Sequence, residues 1–226
     1  MHIEPGIVEG AKLSLSIVTA IGSLGLAAKM ALTNLRQDGG FGGLVSRSIL
    51  TTALVFSFFE ILPHYPVGVS EVHLILGSTL FLIFGAGPAA IGLAAGLLLQ
   101  GLFFAPFDLP QYGMNVTTLL VPLFAVSLLA KKIIPQKSAY VDVTYAQALA
   151  LSTAYQGGIV TWVAFWAFYG HGVTAETFTS VGTFGAAYMT VVLLEPLVDL
   201  AVLAGAKALN GLSQTPVVQR RLYSAA

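Results

Sequence analysis

"GPAAIGLAAGLLLQGLFFAP", residues 87–106, runs its whole length without one charged side chain. A helix of about twenty residues rises about 30 Å, the thickness of a bilayer's hydrocarbon core. Gly92 and Gly96 stand at the GxxxG spacing that lets a second helix approach closely. Working outward from this run, further apolar segments occur at roughly 10–33, 46–62, 69–85, 113–134, 146–169 and 180–207. The turns between them carry Gly, Pro, Asn and Asp, as in "RQDGGFGG", "PHYPVG" and "PFDLPQYG". The pattern predicts an all-α polytopic membrane protein, about seven transmembrane helices in a single domain, 1–226.

Composition agrees. Hydrophobic residues make up 56 % of the 226 and charged residues 9 %, against about 25 % charged in a soluble domain. The chain has no cysteine, so disulfides, iron–sulfur clusters and thiolate metal sites are excluded. Net charge is zero and the basic residues are scattered, which makes the lipid bilayer, not nucleic acid, the expected surround. There is neither a Gly-rich Lys-Ser/Thr loop for nucleotide nor a His-Glu-x-x-His zinc motif, so no enzyme activity is expected.

With seven spans, Lys29, Arg36, Arg47, Lys131, Lys132, Lys137, Lys207, Arg220 and Arg221 fall on one side, and Lys12 alone on the other. The positive-inside rule makes the cation-rich side cytoplasmic, with the N-terminus outside and the C-terminus inside, in a prokaryotic inner membrane. All four histidines, His2, His64, His73 and His171, then lie on the outer side. The stretch "MHIEPGIVEGAK" is not net positive, so the N-terminus is read as mature and not as a signal peptide.

A histidine at position two can chelate as no later histidine can. The α-amine of Met1, the backbone nitrogen of His2 and its imidazole Nδ1 close fused rings around one ion. Such a planar, nitrogen-rich set suits Ni²⁺, Cu²⁺ or cobalt. Residues 1–9 are therefore a candidate metal-binding segment. His73, just inside the third apolar segment, is the candidate for the next imidazole, because ionisable groups in a span usually face a bundle interior.

These residues resemble the start of the CbiM/NikM family, the substrate-binding membrane component of cobalt and nickel energy-coupling-factor transporters. "MHI-x-x-G" matches that family's opening, His73 is followed by Phe84 and Gly85 at its His-to-Phe-Gly spacing, and "GMN", 113–115, stands where it has Gly-Ala-Asn. The resemblance covers nearly the whole chain. It implies seven spans, metal held by Met1, His2 and His73, and Asn115 beside the site as an outer-shell group. It also implies a membrane coupling subunit, cytoplasmic ATPases and a small accessory membrane subunit as partners. Around His73 the chain reads "SEVHLILG" where the family often has Ser-Ser-His-Pro-Thr-Gly, which keeps His64 open as an alternative ligand and Glu71 as an outer-shell acceptor. The expected function is metal capture for an ATP-driven Co²⁺ or Ni²⁺ importer, with cobalt for cobalamin synthesis favoured over a nickel-specific subunit.

A stand-alone divalent-cation carrier is the rival reading. Glu60, Glu195 and Asp199 lie in or near spans, and Glu195 and Asp199 share a helix face at i,i+4, where a carrier would take protons.

Overall fold

The computed structural model of the chain describes residues 3–209, 211 and 215–225. In chain order its helices are α1 (Leu13–Gln37), α2 (Gly40–Glu60), α3 (Gly77–Phe84), α4 (Ala86–Phe103), α5 (Tyr112–Ile133), α6 (Tyr145–His171), α7 (Ala175–Met189) and α8 (Val191–Ala208). A two-stranded antiparallel hairpin, β1 (Tyr65–Val67) and β2 (Ser70–Val72), joins α2 to α3. Among the described residues six helical stretches are long and apolar enough to cross a membrane, the last of them comprising α7 and α8 together. The architecture is an all-α polytopic membrane fold.

Two faces of the bundle can be told apart. The proximal face carries the N-terminal segment, where Ile3 bridges to Ser70 of β2. It also holds the last turn of α6, whose Gly170 carbonyl accepts from the Lys12 ammonium at 2.8 Å. The distal face carries the α1–α2 turn and the C-terminal segment, joined where the Arg220 N–H donates to Asp38 at 3.2 Å.

The third apolar segment, expected as one helix over 69–85, is built otherwise. Ser70–Val72 is a strand, 73–76 is neither helix nor strand, and only the eight residues of α3 are helical. Eight helical residues advance about 12 Å, under half of a bilayer core, so α3 is a half-length helix. Leu76, at the junction, adopts the left-handed conformation with φ 55°, which costs a non-glycine residue about 1–3 kcal/mol. The expected seventh span, 180–207, also differs: it starts earlier and breaks at Thr190 into α7 and α8.

A helix that begins and ends in apolar surroundings must have its terminal N–H and C=O groups met by other parts of the protein. At the distal end of α3 the Gln219 amide donates to the Phe81 and Leu82 carbonyls at 2.7 and 2.6 Å, and its backbone N–H donates to Ile83 at 3.0 Å. The fully buried Arg47 guanidinium reaches the Phe84 carbonyl at 3.2 Å. Arg47 is itself held by the Asp38 carboxylate at 2.6 Å and the Gly43 carbonyl at 3.0 Å. At the proximal end of α3 the Ser78 N–H and hydroxyl donate to Glu195 of α8.

Small residues set the helix spacing. A Cβ on Gly92 would run into Thr51 of α2, and one on Gly96 into Val55. The Thr51 hydroxyl uses that approach to donate to the Pro88 carbonyl of α4 at 2.7 Å. The small-residue ridge of α1, Thr19, Ser23, Ala27 and Ala31, packs internally too. Thr117 of α5 donates to Thr19 at 3.2 Å, and Ala31 backs onto Gly87. Ile17, Val18 and Ile21 of α1 and Leu193, Leu194 and Leu197 of α8 point outward, as a lipid-facing belt requires.

Replacing Gly96 by Leu forces α4 from α2 and should cost about 1–3 kcal/mol, read as a lower thermal unfolding midpoint in detergent. Gly22→Leu, at a position with open space around it, should leave the midpoint near the parent value.

Candidate metal centre

The N-terminal segment is held as an added strand. Ile3 pairs antiparallel with Ser70, and the Glu4 N–H reaches the Val69 carbonyl at 3.4 Å. Ile3, Ile7 and Val8 are buried, so the segment is fixed by apolar burial as well as by hydrogen bonds. Asn115, in the first turn of α5, accepts from the Ile3 N–H at 3.0 Å. This contact joins residues 112 positions apart.

His73 lies directly after β2 and is 1 % exposed. Its Nε2 is 2.9 Å from the Glu71 carboxylate. In the neutral tautomer with hydrogen on Nε2, Glu71 accepts that bond and the basic lone pair resides on Nδ1. A carboxylate that orients an imidazole this way also raises its basicity as a ligand. Phe59 of α2 packs edge-on against the His73 ring, at 5.2 Å and 81°. His64 stacks on it at 4.8 Å and 15°. The hairpin thus brings the two alternative imidazoles together, the inner one buried and the outer one exposed.

Met1 and His2, expected to chelate the ion, lie outside the described residues. Among the described residues no group of three or more His, Asp and Glu side chains is poised to hold a metal. His171 ends α6, exposed on the proximal face. Glu60 ends α2 on the same face.

The surroundings are acidic. Glu4, Glu71 and Asp108 lie close enough to feel each other's charge. Burial, and after it the Glu71 charge, holds the Glu4 carboxyl above the usual carboxylate range. Asp108 sits in a short 3₁₀ helix, Pro106–Gln111, and is itself buried. Between it, Gln100 and Asn115 lies a polar void of about 10 Å³, the space of one water.

At one mouth of the polytopic helical bundle, Glu71 contacts His73, His64 stacks on that ring, and Glu4 and Asp108 lie within electrostatic range of Glu71. The chain belongs to the CbiM family, described as the cobalt uptake substrate-specific transmembrane region, whose model matches residues 2–210. Two solved structures share the fold. One is described as a truncated transition metal transporter, with a TM-score of 0.73 at 16 % identity, covering 93 % of this chain and 99 % of the other. The second, a transition metal transporter, has a TM-score of 0.69 at 18 % identity, covering 93 % and 94 %. No curated protein matches the chain.

Asp108, in the turn "PFDLPQYG", has no site role in the sequence reading; the structure sets it within electrostatic range of Glu4 and Glu71. Gln100 also joins this mouth, and its place in an apolar run gives no signal beyond being polar there. A second polar cluster, around Glu195 and Asp199, recruits Ser78, Thr79, Ser152 and Gln156. Ser152 and Gln156 stand four apart in their apolar segment, a pairing that marks one polar helix face.

Asn115→Ala removes the acceptor of a buried backbone N–H, a change worth about 1–3 kcal/mol. Hydrogen exchange at the Ile3 amide should accelerate while amides in α5 keep their protection.

Proposed function

We propose that this chain is the metal-capture subunit of an ATP-driven Co²⁺ importer, holding the ion at its proximal face with the nitrogens of Met1, His2 and His73. The reading rests above all on one juxtaposition. Ile3 is pinned by Asn115 and Ser70, and Ser70 is three residues from the buried His73. Two further Cα steps reach at most about 8 Å from Ile3, which keeps positions 1 and 2 within reach of the hairpin that bears both imidazoles. Glu71 orients His73, Asn115 anchors the segment, and His64 is the alternative imidazole. Glu4 and Asp108 add negative charge that draws a cation to this mouth.

The positive-inside argument makes the proximal face external, the distal face cytoplasmic and the membrane a prokaryotic inner membrane. The family's description supports cobalt, and cobalt destined for cobalamin synthesis is the favoured cargo; planar nitrogen ligation would accept nickel as well. Energy comes from partners: a membrane coupling subunit, cytoplasmic ATPases and a small accessory membrane subunit.

Adding one residue before Met1, or acetylating its amine, should abolish tight Co²⁺ binding while the thermal unfolding midpoint of the metal-free protein stays put. An extended variant that binds at full affinity would exclude the amino-terminal chelate. His73→Ala should weaken binding about a hundredfold or more in titration calorimetry, and His171→Ala should leave it unchanged. Affinity should fall as pH drops through the imidazole and amine titrations, because the ligands bind only when deprotonated. Uptake into cells should stop when the ATPase partners are deleted; uptake surviving in this chain alone would identify a secondary carrier.

A further inference from the structure

Halfway across the bundle, away from the metal centre, the two acids of α8 meet the start of α3. Glu195 and Asp199 are both fully buried. Among the described residues neither has a salt bridge to Lys, Arg or His; the ion pairs there are Arg47–Asp38, His73–Glu71 and Lys207–Asp142. Two carboxylates buried without a counter-cation, in segments otherwise facing lipid or apolar core, demand a positive charge from elsewhere.

The hydrogen-bond donors around them show where that charge would sit. Glu195 Oε2 accepts from the Ser152 hydroxyl and the Gln156 amide, each at 2.6 Å. Asp199 Oδ1 accepts from the Thr79 hydroxyl. The remaining two oxygens, Glu195 Oε1 and Asp199 Oδ2, both lie 2.9 Å from the hydroxyl oxygen of Ser78. That hydroxyl has one hydrogen and can donate to only one of them. The other contact needs a hydrogen on the carboxyl side: a protonated carboxyl donates to Ser78, and Ser78 donates onward to the ionised partner.

Three further atoms belong to the same place. Gln156 Oε1, on the amide that already bonds Glu195, is buried with no hydrogen-bond partner. The hydroxyls of Tyr155 on α6 and Tyr188 on α7 are likewise buried and unpartnered, and both residues lie within electrostatic reach of Glu195. The Tyr155 ring fills the space where Gly77 lacks a side chain, directly before Ser78. α3 contributes Ser78 and Thr79 but no titratable group here; among the described residues the titratable groups found in electrostatic reach of the pair are these two tyrosines and the two acids themselves.

We propose that Glu195, Asp199 and Ser78 form a binding site for a single proton inside the membrane span, held in a chain from one carboxyl through the Ser78 hydroxyl to the other. The site is separate from metal capture and does not depend on it. Its occupancy sets how α3 is held to α8, and Ser78 lies five residues along the same crossing from His73.

Infrared spectra of the purified full-length chain near neutral pH test this through the C=O stretch of a protonated carboxyl. The wild-type protein should show a band equivalent to one carboxyl. The band should vanish from Glu195→Gln and from Asp199→Asn, because the remaining acid then sits alone among its donors and ionises. Ser78→Ala should shift its frequency by removing the bridging hydroxyl. A wild-type spectrum lacking the band, or a band untouched by both substitutions, overturns the proposal. Should neither variant fold, the wild-type band is compared in NaCl and in choline chloride. Equal intensity supports a proton, and loss of the band in Na⁺ means that a metal cation holds the site and overturns it.

Discussion

A helix broken inside a membrane has backbone groups at both ends that no lipid can satisfy, and this fold is arranged around meeting them for α3. The proximal end, where free N–H groups concentrate partial positive charge, is met by Glu195, which accepts from the Ser78 N–H, with Asp199 beside it on the Ser78 and Thr79 hydroxyls. The distal end, where free carbonyls concentrate partial negative charge, is met by Gln219 and the Arg47 guanidinium. Acid at the N-terminus and cation at the C-terminus is the favourable order for a helix dipole. The partners come from α2, α8 and the C-terminal segment, so one short helix ties distant parts of the chain together.

That arrangement explains why the chain tolerates a non-helical stretch from 73 to 76 and a left-handed Leu76. Non-helical backbone at membrane depth is stable where protein buries it, and Ile75 and Leu76 are both buried. This stretch leads from β2 into α3 and leaves His73 directly after the hairpin, where Glu71, His64 and Phe59 contact it. A regular helix over the same residues would have placed His73 on a helix surface, without the strand edge on which Ile3 is bound.

Much of this is legible in the amino-acid sequence, and the parts that are not have physical reasons. Long apolar runs without charge fix helices such as α4 and α5, because only helices satisfy their own backbone in lipid. The stretch "SEVHLILGSTLFLIFG" has the same hydropathy whether it is a helix or a strand followed by a half-helix. Hydropathy measures transfer from water and does not report backbone hydrogen bonding. The distinction is carried by Gln219 and Arg47, residues with no sequence proximity to α3. Similarly, the i,i+4 spacing puts Glu195 and Asp199 on one face, but their partners come from α3 and α6, 39 to 121 residues away in sequence. The family resemblance sets Asn115 beside the metal centre; its hydrogen bond to Ile3 is a long-range contact that no periodicity encodes.

The charges along the bundle axis bear on how such a protein handles a cation. The proximal mouth gathers Glu4, Glu71 and Asp108. The distal face opens into a cavity of about 560 Å³ whose charged lining is Lys29, Lys131, Arg220 and Arg221 against the single acid Asp38. Between the two faces the interior is filled by Leu80, Leu119, Leu120, Leu123 and Ile159, each at most 1 % exposed. Glu195, Asp199 and their hydrogen-bond donors are the buried polar exception in that interior, and the charge is negative at one mouth and positive at the other. A cation entering at the proximal mouth would meet a tightly packed interior and then net positive charge at the distal face, a field that opposes free conduction through the bundle.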